Sequence, residues 1–164
     1  MKKTLQILMV TVMMVLCMTG CGKEQDEFLN YVNGDAKKEV SELESKAKDS
    51  YASVTGDNFK DDQTLLQELR TNTSDLAKQT IEKATALGAT LEGEQLKKVH
   101  EICVTSLKDF QSGVDQLIQA VGNEDDSQLS QVNDLMSKAN EEGAKYMEEL
   151  KKLAEELDVE MTTE

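Results

Sequence analysis

The chain has 164 residues, 18 Lys and Arg against 32 Asp and Glu, a formal net charge of −14, nine glycines, and neither proline nor tryptophan. That length suits one domain, and the acid excess argues against a nucleic-acid-binding face, so no nucleic-acid partner is expected. The composition excludes a collagen-like or β-rich fold and fits amphipathic helices joined by short glycine-containing turns.

The first twenty residues read as a leader rather than as fold. Lys2 and Lys3 form a positive start, Leu5 to Leu16 is an almost uncharged apolar run, and the run closes on Thr19, Gly20 and Cys21 before the polar Gly22, Lys23, Glu24 and Gln25. Such a run is shorter than the roughly 20 apolar residues of a spanning helix and has the layout of a cleaved secretory signal peptide over 1–20. Its removal takes out Lys2 and Lys3 but no acid, so the processed chain keeps 16 basic and 32 acidic side chains, a net −16. That excess keeps the body off an anionic membrane surface within a Debye length of about 8 Å. The segment 21–25 is expected to be a tether.

Four amphipathic stripes follow, each with apolar or small residues at steps of three and four. The first, over about 25–54, carries Phe28, Val32, Ala36, Val40, Leu43, Ala47, Tyr51 and Val54, and Thr55-Gly56-Asp57-Asn58 ends it with a left-handed-tolerant glycine and turn-forming side chains. The second, over about 61–87, carries Leu66, Leu69, Thr73, Leu76, Thr80, Ala84 and Leu87 behind Asp61 and Asp62, which suit a helix start. After Gly88 to Gly93 the third carries Leu96, Val99, Cys103, Leu107, Phe110, Val114, Leu117 and Val121 and stops at Gly122. The fourth, over about 126–158, is the most regular: Leu129, Val132, Met136, Ala139, Gly143, Tyr146, Leu150, Leu153 and Leu157. Residues 159–164 read as a disordered tail.

Long helices with connections this short bury one-sided stripes as antiparallel neighbours, so the fold class is all-α, an up-down-up-down four-helix bundle over 26–158. With only six aromatic residues and small or polar residues within the stripes, the core looks thin, and modest thermal stability is expected. A melting temperature above about 90 °C would contradict that.

The pattern holds little chemistry. His100, the one histidine, lies within a turn of Cys103, the arrangement of a Cys/His nucleophile pair. A buried thiol with a flanking histidine explains the same two residues without a pocket or an orienting third group, and the chain is expected not to be an enzyme. No metal site is expected from histidine either: di-iron bundles need Glu-x-x-His on paired helices, and the residue three before His100 is Lys97. The acidic turns are more informative. Asp57, Asp61, Asp62, Glu124, Asp125 and Asp126 belong to the first and third connections, which share one end of such a bundle, and with only Lys60 beside them they offer contacts to a cation or a cationic partner. The same acids suit ordinary helix starts, and neither turn has EF-hand spacing. A cavity beside the small residues Thr73, Thr80, Ala139 and Gly143 is the other expected ligand site, which would make the chain a small-ligand module rather than an interaction or scaffold protein.

The tetrad Met18-Thr19-Gly20-Cys21 resembles the lipobox of bacterial lipoproteins. Together with Glu27-Phe28-Leu29-Asn30-Tyr31-Val32, the turn from Val54 to Asp62 and the closing helix from Tyr146 to Leu157, the chain resembles small helical surface lipoproteins of Gram-positive, Firmicutes-type bacteria over nearly its whole length. The resemblance implies diacylglyceryl modification of Cys21, no other cofactor, and a membrane contact made through that anchor on the extracytoplasmic face. It also implies an interaction or scaffold role with an unidentified envelope partner. Cys17 is a poorer lipidation candidate, and an unmodified Cys21 would instead be free to pair with Cys103.

Overall fold

The computed structural model describes residues 12–13 and 22–163. The expected signal peptide, apart from a two-residue pairing of Val12–Met13 with Thr162–Thr163, and Cys21 lie outside the described residues. Four helical rods form a bundle. The first rod is α1 (Lys23–Asn33) and α2 (Asp35–Val54); the second is α3 (Asp62–Glu68), a π turn (Leu69–Thr73) and α4 (Ser74–Thr90). The third is α5 (Glu94–Gly122), and the fourth is a 3-10 turn (Asp126–Gln128) running into α6 (Leu129–Glu156).

Cross-rod contacts fix the directions. Glu39 pairs with Lys83 while Ser50, further along, meets Thr73; Ala84 meets His100 while Ser74 meets Gln111; Ser106 bonds Ala139 while Gln95 meets Glu156. Numbers rise on one member of each pair as they fall on the other, so consecutive rods run antiparallel. The first and fourth rods meet through the Tyr31 and Tyr146 hydroxyls, 3.0 Å apart.

The first rod, expected as one helix, breaks at Gly34. A Cβ there would stand 2.4 Å from the Asn30 carbonyl oxygen, and the glycine's extended ψ of 150° ends α1 while it caps α2. The second rod departs from its stripe in phase: Leu65 and Ala77 are buried where Leu66 and Leu76 were expected, and both of the latter are only partly covered. The π turn is the reason. Its extra residue per turn lets Leu65, Leu69, Thr73 and Ala77, spaced by four, stay in line, whereas a continuous α-helix would rotate that row off the core.

The interior divides along the axis. Near the α1 end, Phe28, Val32, Val40, Leu91, Leu96, Val99, Cys103, Leu107, Leu150 and Leu153 form one apolar cluster; near the turns that follow α2 and α5, Val54, Leu65, Leu69, Phe110, Val114, Leu117 and Val132 form another. The π turn brings Thr73 and Ser74 inward together, each with a partner. Ser50 reaches Thr73 and Glu68 at 2.7 Å, and Gln111 donates to Ser74 at 3.2 Å and to Asp115 at 2.8 Å. Past α6, Val159 and Met161 are partly buried against the first cluster.

At the α1 end one carboxylate does a cap's work from another rod. Gly93 precedes α5 and has no side chain to satisfy its first N–H groups; the Glu27 carboxylate accepts from the Glu92 N–H at 2.5 Å and the Gly93 N–H at 2.9 Å. Glu27→Ala is expected to cost about 1 kcal/mol, as the loss of an N-cap does, read as a lower urea midpoint at unchanged slope.

Candidate functional site

The candidate site residues fall at two places, and the first is inside the first apolar cluster. His100 on α5 is 3% exposed, and both ring nitrogens are engaged. Nε2 lies 2.7 Å from the Ala84 carbonyl of α4, and Nδ1 lies 2.9 Å from the Tyr31 hydroxyl of α1, whose oxygen is 3.0 Å from the Tyr146 hydroxyl of α6. A carbonyl only accepts, so Nε2 carries the proton and Nδ1 is the acceptor. Tyr31 therefore donates to His100 and Tyr146 donates to Tyr31. The chain of donors has one direction, and it crosses all four rods.

Its surroundings favour the neutral ring. Burial pushes the His100 pKa below the ordinary value; the Ala84 carbonyl opposes that shift and the Lys37 ammonium adds to it. Burial raises both phenols, Tyr31 and Tyr146, and raises the Cys103 thiol. Lys37 lies 5.0 Å from the centre of the Tyr146 ring and 6.0 Å from that of Tyr31. Burial works to depress its ammonium, but neighbouring groups, the Glu44 carboxylate among them, more than reverse that, and its pKa stands above the usual lysine value.

Both nitrogens of His100 are committed to Tyr31 and Ala84, and the Cys103 thiol, 4% exposed, is held protonated by burial. Cys103 is also the free cysteine of the described residues. Both residues lie in the interior, His100 within the hydroxyl chain and Cys103 within the first apolar cluster. Sequence reasoning placed His100 beside the stripe and missed Tyr31 and Tyr146 as its partners; the signal was their spacing, since Tyr31 follows Phe28 by three and Tyr146 already stood on the fourth stripe.

The second place is the turn end. There the structure sets the first and third connections at the same end of the bundle, as Val54, Leu65, Leu117 and Val132 share one cluster. Asp61 caps α3, accepting from the Thr64 N–H at 2.8 Å and its hydroxyl at 2.9 Å, and the Thr64 N–H lowers its pKa. Asp125 accepts from Ser127 and from Gln128 at 2.6 Å, and those bonds lower its pKa. Asp57 sits in the 3-10 turn Gly56–Asn58, Asp62 and Asp126 in first turns, and Glu124 takes a left-handed φ of 53°. Among the described residues, no three or more His, Cys, Asp or Glu side chains are grouped to hold a metal ion. The exposed large hydrophobics of the described residues, Phe59 at 48% and Leu129 at 36%, both lie in these end connections or beside them.

The residues expected to leave an interhelical cavity are filled in. Thr73 and Thr80 are at most 1% exposed and hydrogen-bonded to Ser50 and to the Leu76 carbonyl; Ser106 bonds the Ala139 carbonyl at 2.8 Å and stands 3.4 Å from where a Cβ on Gly143 would be. The Thr73 and Thr80 hydroxyls that were to line a pocket are instead spent on Ser50 and on the Leu76 carbonyl. A cavity of about 10 Å³ does lie at the opposite end, lined by Glu24, Glu27, Phe28, Gly93, Leu96 and Leu153 among others, room for about one water. No described helix is long and apolar enough to cross a membrane.

Comparison of the chain with protein-family models, with curated proteins and with solved structures gave no match.

Proposed function

We propose that this chain is a lipid-anchored, acidic, non-enzymatic surface module that acts by protein interaction, with Cys21 as the lipidated residue and the turn end as its membrane-distal contact. The observation that carries this reading is the division of labour between the two ends. The reactive side chains are spent inside, His100 and Cys103 holding the interior, while the far end, which carries both acidic end connections, exposes Phe59 between Asp57 and Asp61 of the first. An apolar ring among carboxylates is a surface for a partner that is basic and partly apolar. α1 starts at Lys23, so an anchor at Cys21 leaves Gly22 alone as tether and sets the α1 end toward the bilayer. The body then stands as a spacer of roughly 45 Å, the length of a 30-residue helix.

Two measurements in cells producing the full chain test this. Cys21→Ala is expected to shift the protein from the detergent phase to the aqueous phase; unchanged partitioning would remove the anchor from the proposal. Photoreactive residues at positions 59 and 124 are expected to trap one reproducible protein that residues on the outer face of α6 do not. Adducts equal at both places would sink the interaction reading.

A further inference from the structure

Beyond its proposed role as an interaction module, we infer that His100 is an acid-sensitive tie, whose protonation on Nδ1 loosens the hold of the third rod on the first and of the first on the fourth. The inference stands on the direction of the hydrogen-bond chain. With Nε2–H fixed on the Ala84 carbonyl at 2.7 Å, the added proton must go to Nδ1, the atom that accepts from Tyr31 at 2.9 Å. A proton there sets donor against donor. To recover, Tyr31 must turn its hydroxyl toward Tyr146, and Tyr146, 6% exposed and until then donating to Tyr31, must find a new acceptor inside the bundle. One protonation thus disturbs the contacts that join α5 to α1 and α1 to α6, while Nε2–H stays on the Ala84 carbonyl of α4.

The groups facing the ring reinforce this. From the first rod come Tyr31 and the Lys37 ammonium; from the second, the Ala84 carbonyl and Gly88, neither titratable; from the fourth, Tyr146. On α5 itself stand Glu101, whose charge favours the imidazolium, and the buried neutral Cys103. Lys37 opposes a second cation, the Glu101 carboxylate on the ring's own helix is exposed, and Glu44 of the first rod, half-buried near Lys37, is paired with Lys48 at 2.6 Å, so the interior offers an imidazolium a cation and no free buried counter-charge. The sign follows. Above about 6.5 the ring is neutral in both folded and unfolded chains, and the tie is fully present; below 6.5 the unfolded chain binds the proton before the folded one does, and the tie is lost as pH falls toward the depressed native value.

The experiment is urea unfolding of the purified full chain from pH 8 to pH 5, beside His100→Gln, whose amide can donate to Ala84 and accept from Tyr31 without titrating. The unfolding constant of the unaltered chain is expected to rise, relative to the variant, by up to tenfold per pH unit below 6.5. Parallel pH profiles would overturn the inference. Should His100→Gln not fold, the C2-proton resonance of the single histidine decides on the unaltered chain: a midpoint below 6.5 supports the tie, and one at or above 6.5 overturns it. Tyr31→Phe removes the donor that favours the neutral ring and is expected to move that midpoint upward; an unmoved midpoint would show that the hydroxyl chain plays no part.

Discussion

Phe28→Ala is expected to cost about 3–5 kcal/mol, the range for truncating a fully buried aromatic. Phe28 is 0% exposed and sits on α1, the short piece cut from the first rod by the Gly34 break. Through it α1 is joined to Leu96 of α5 and Leu153 of α6, beside the cavity of about 10 Å³. A helix of 11 residues does not hold itself in water, so its place depends on this side chain together with Tyr31 and Val32. Truncation would merge the existing void with the space of the ring, and the polar Glu24 and Glu27 at its edge would admit water rather than collapse over it. The measurement is the urea midpoint with Phe59→Ala as control, since Phe59, half exposed, should change it by less than about 0.5 kcal/mol. Equal losses for the two would mean that α1 is not part of the cooperative unit.

How far the sequence could carry this fold is visible in particular residues. Every expected third-stripe residue from Leu96 to Leu117 is buried, because α5 is unbroken and a continuous α-helix keeps the phase that the period assumes. The second stripe held at Leu69, Thr73, Thr80 and Ala84, all buried, but placed Leu66 and Leu76 where Leu65 and Ala77 are buried, because a π turn changes the residues per turn and nothing in Leu69-Arg70-Thr71-Asn72-Thr73 announces one to a reading based on 3.6. Ala36 stood on the expected first stripe and is exposed; Gly34 restarts the helix two residues before it, and Lys37 turns toward the Tyr146 ring instead. The site was less legible than the fold for a related reason. A hydrogen bond between Tyr31 and His100 joins residues 69 apart, and which polar side chains meet across a bundle depends on rod rotation and axial offset, which composition and period leave open. The acidic turns were legible as helix starts: Asp61 and Asp125 spend their carboxylates on capping N–H groups.

Gly88→Ala is expected to destabilise the chain by about 1–3 kcal/mol, although the same change in most helix interiors stabilises by up to about 1 kcal/mol. Gly88 lies within α4, and a Cβ there would stand 2.7 Å from Cδ2 and 2.9 Å from Nε2 of His100. The ring has little freedom to retreat, being held at Nε2 by Ala84 and at Nδ1 by Tyr31, so the methyl can be admitted only by lengthening one of those bonds or by moving α4 away from α5. Gly113 makes the contrast. Its Cβ would meet the Met136 methyl at 2.8 Å, but that is the end of a flexible side chain that can turn aside, and Gly113→Ala should cost far less. A double-mutant cycle separates crowding from any other role of the glycine: with His100→Ala in place the steric partner is gone, and Gly88→Ala should become neutral or stabilising. If the penalty persists in that background, the glycine is required for something other than the approach of the imidazole. If it vanishes, a glycine on the second rod exists to let a histidine of the third reach a backbone carbonyl, the contact that fixes the tautomer and hence the direction of the whole hydroxyl chain.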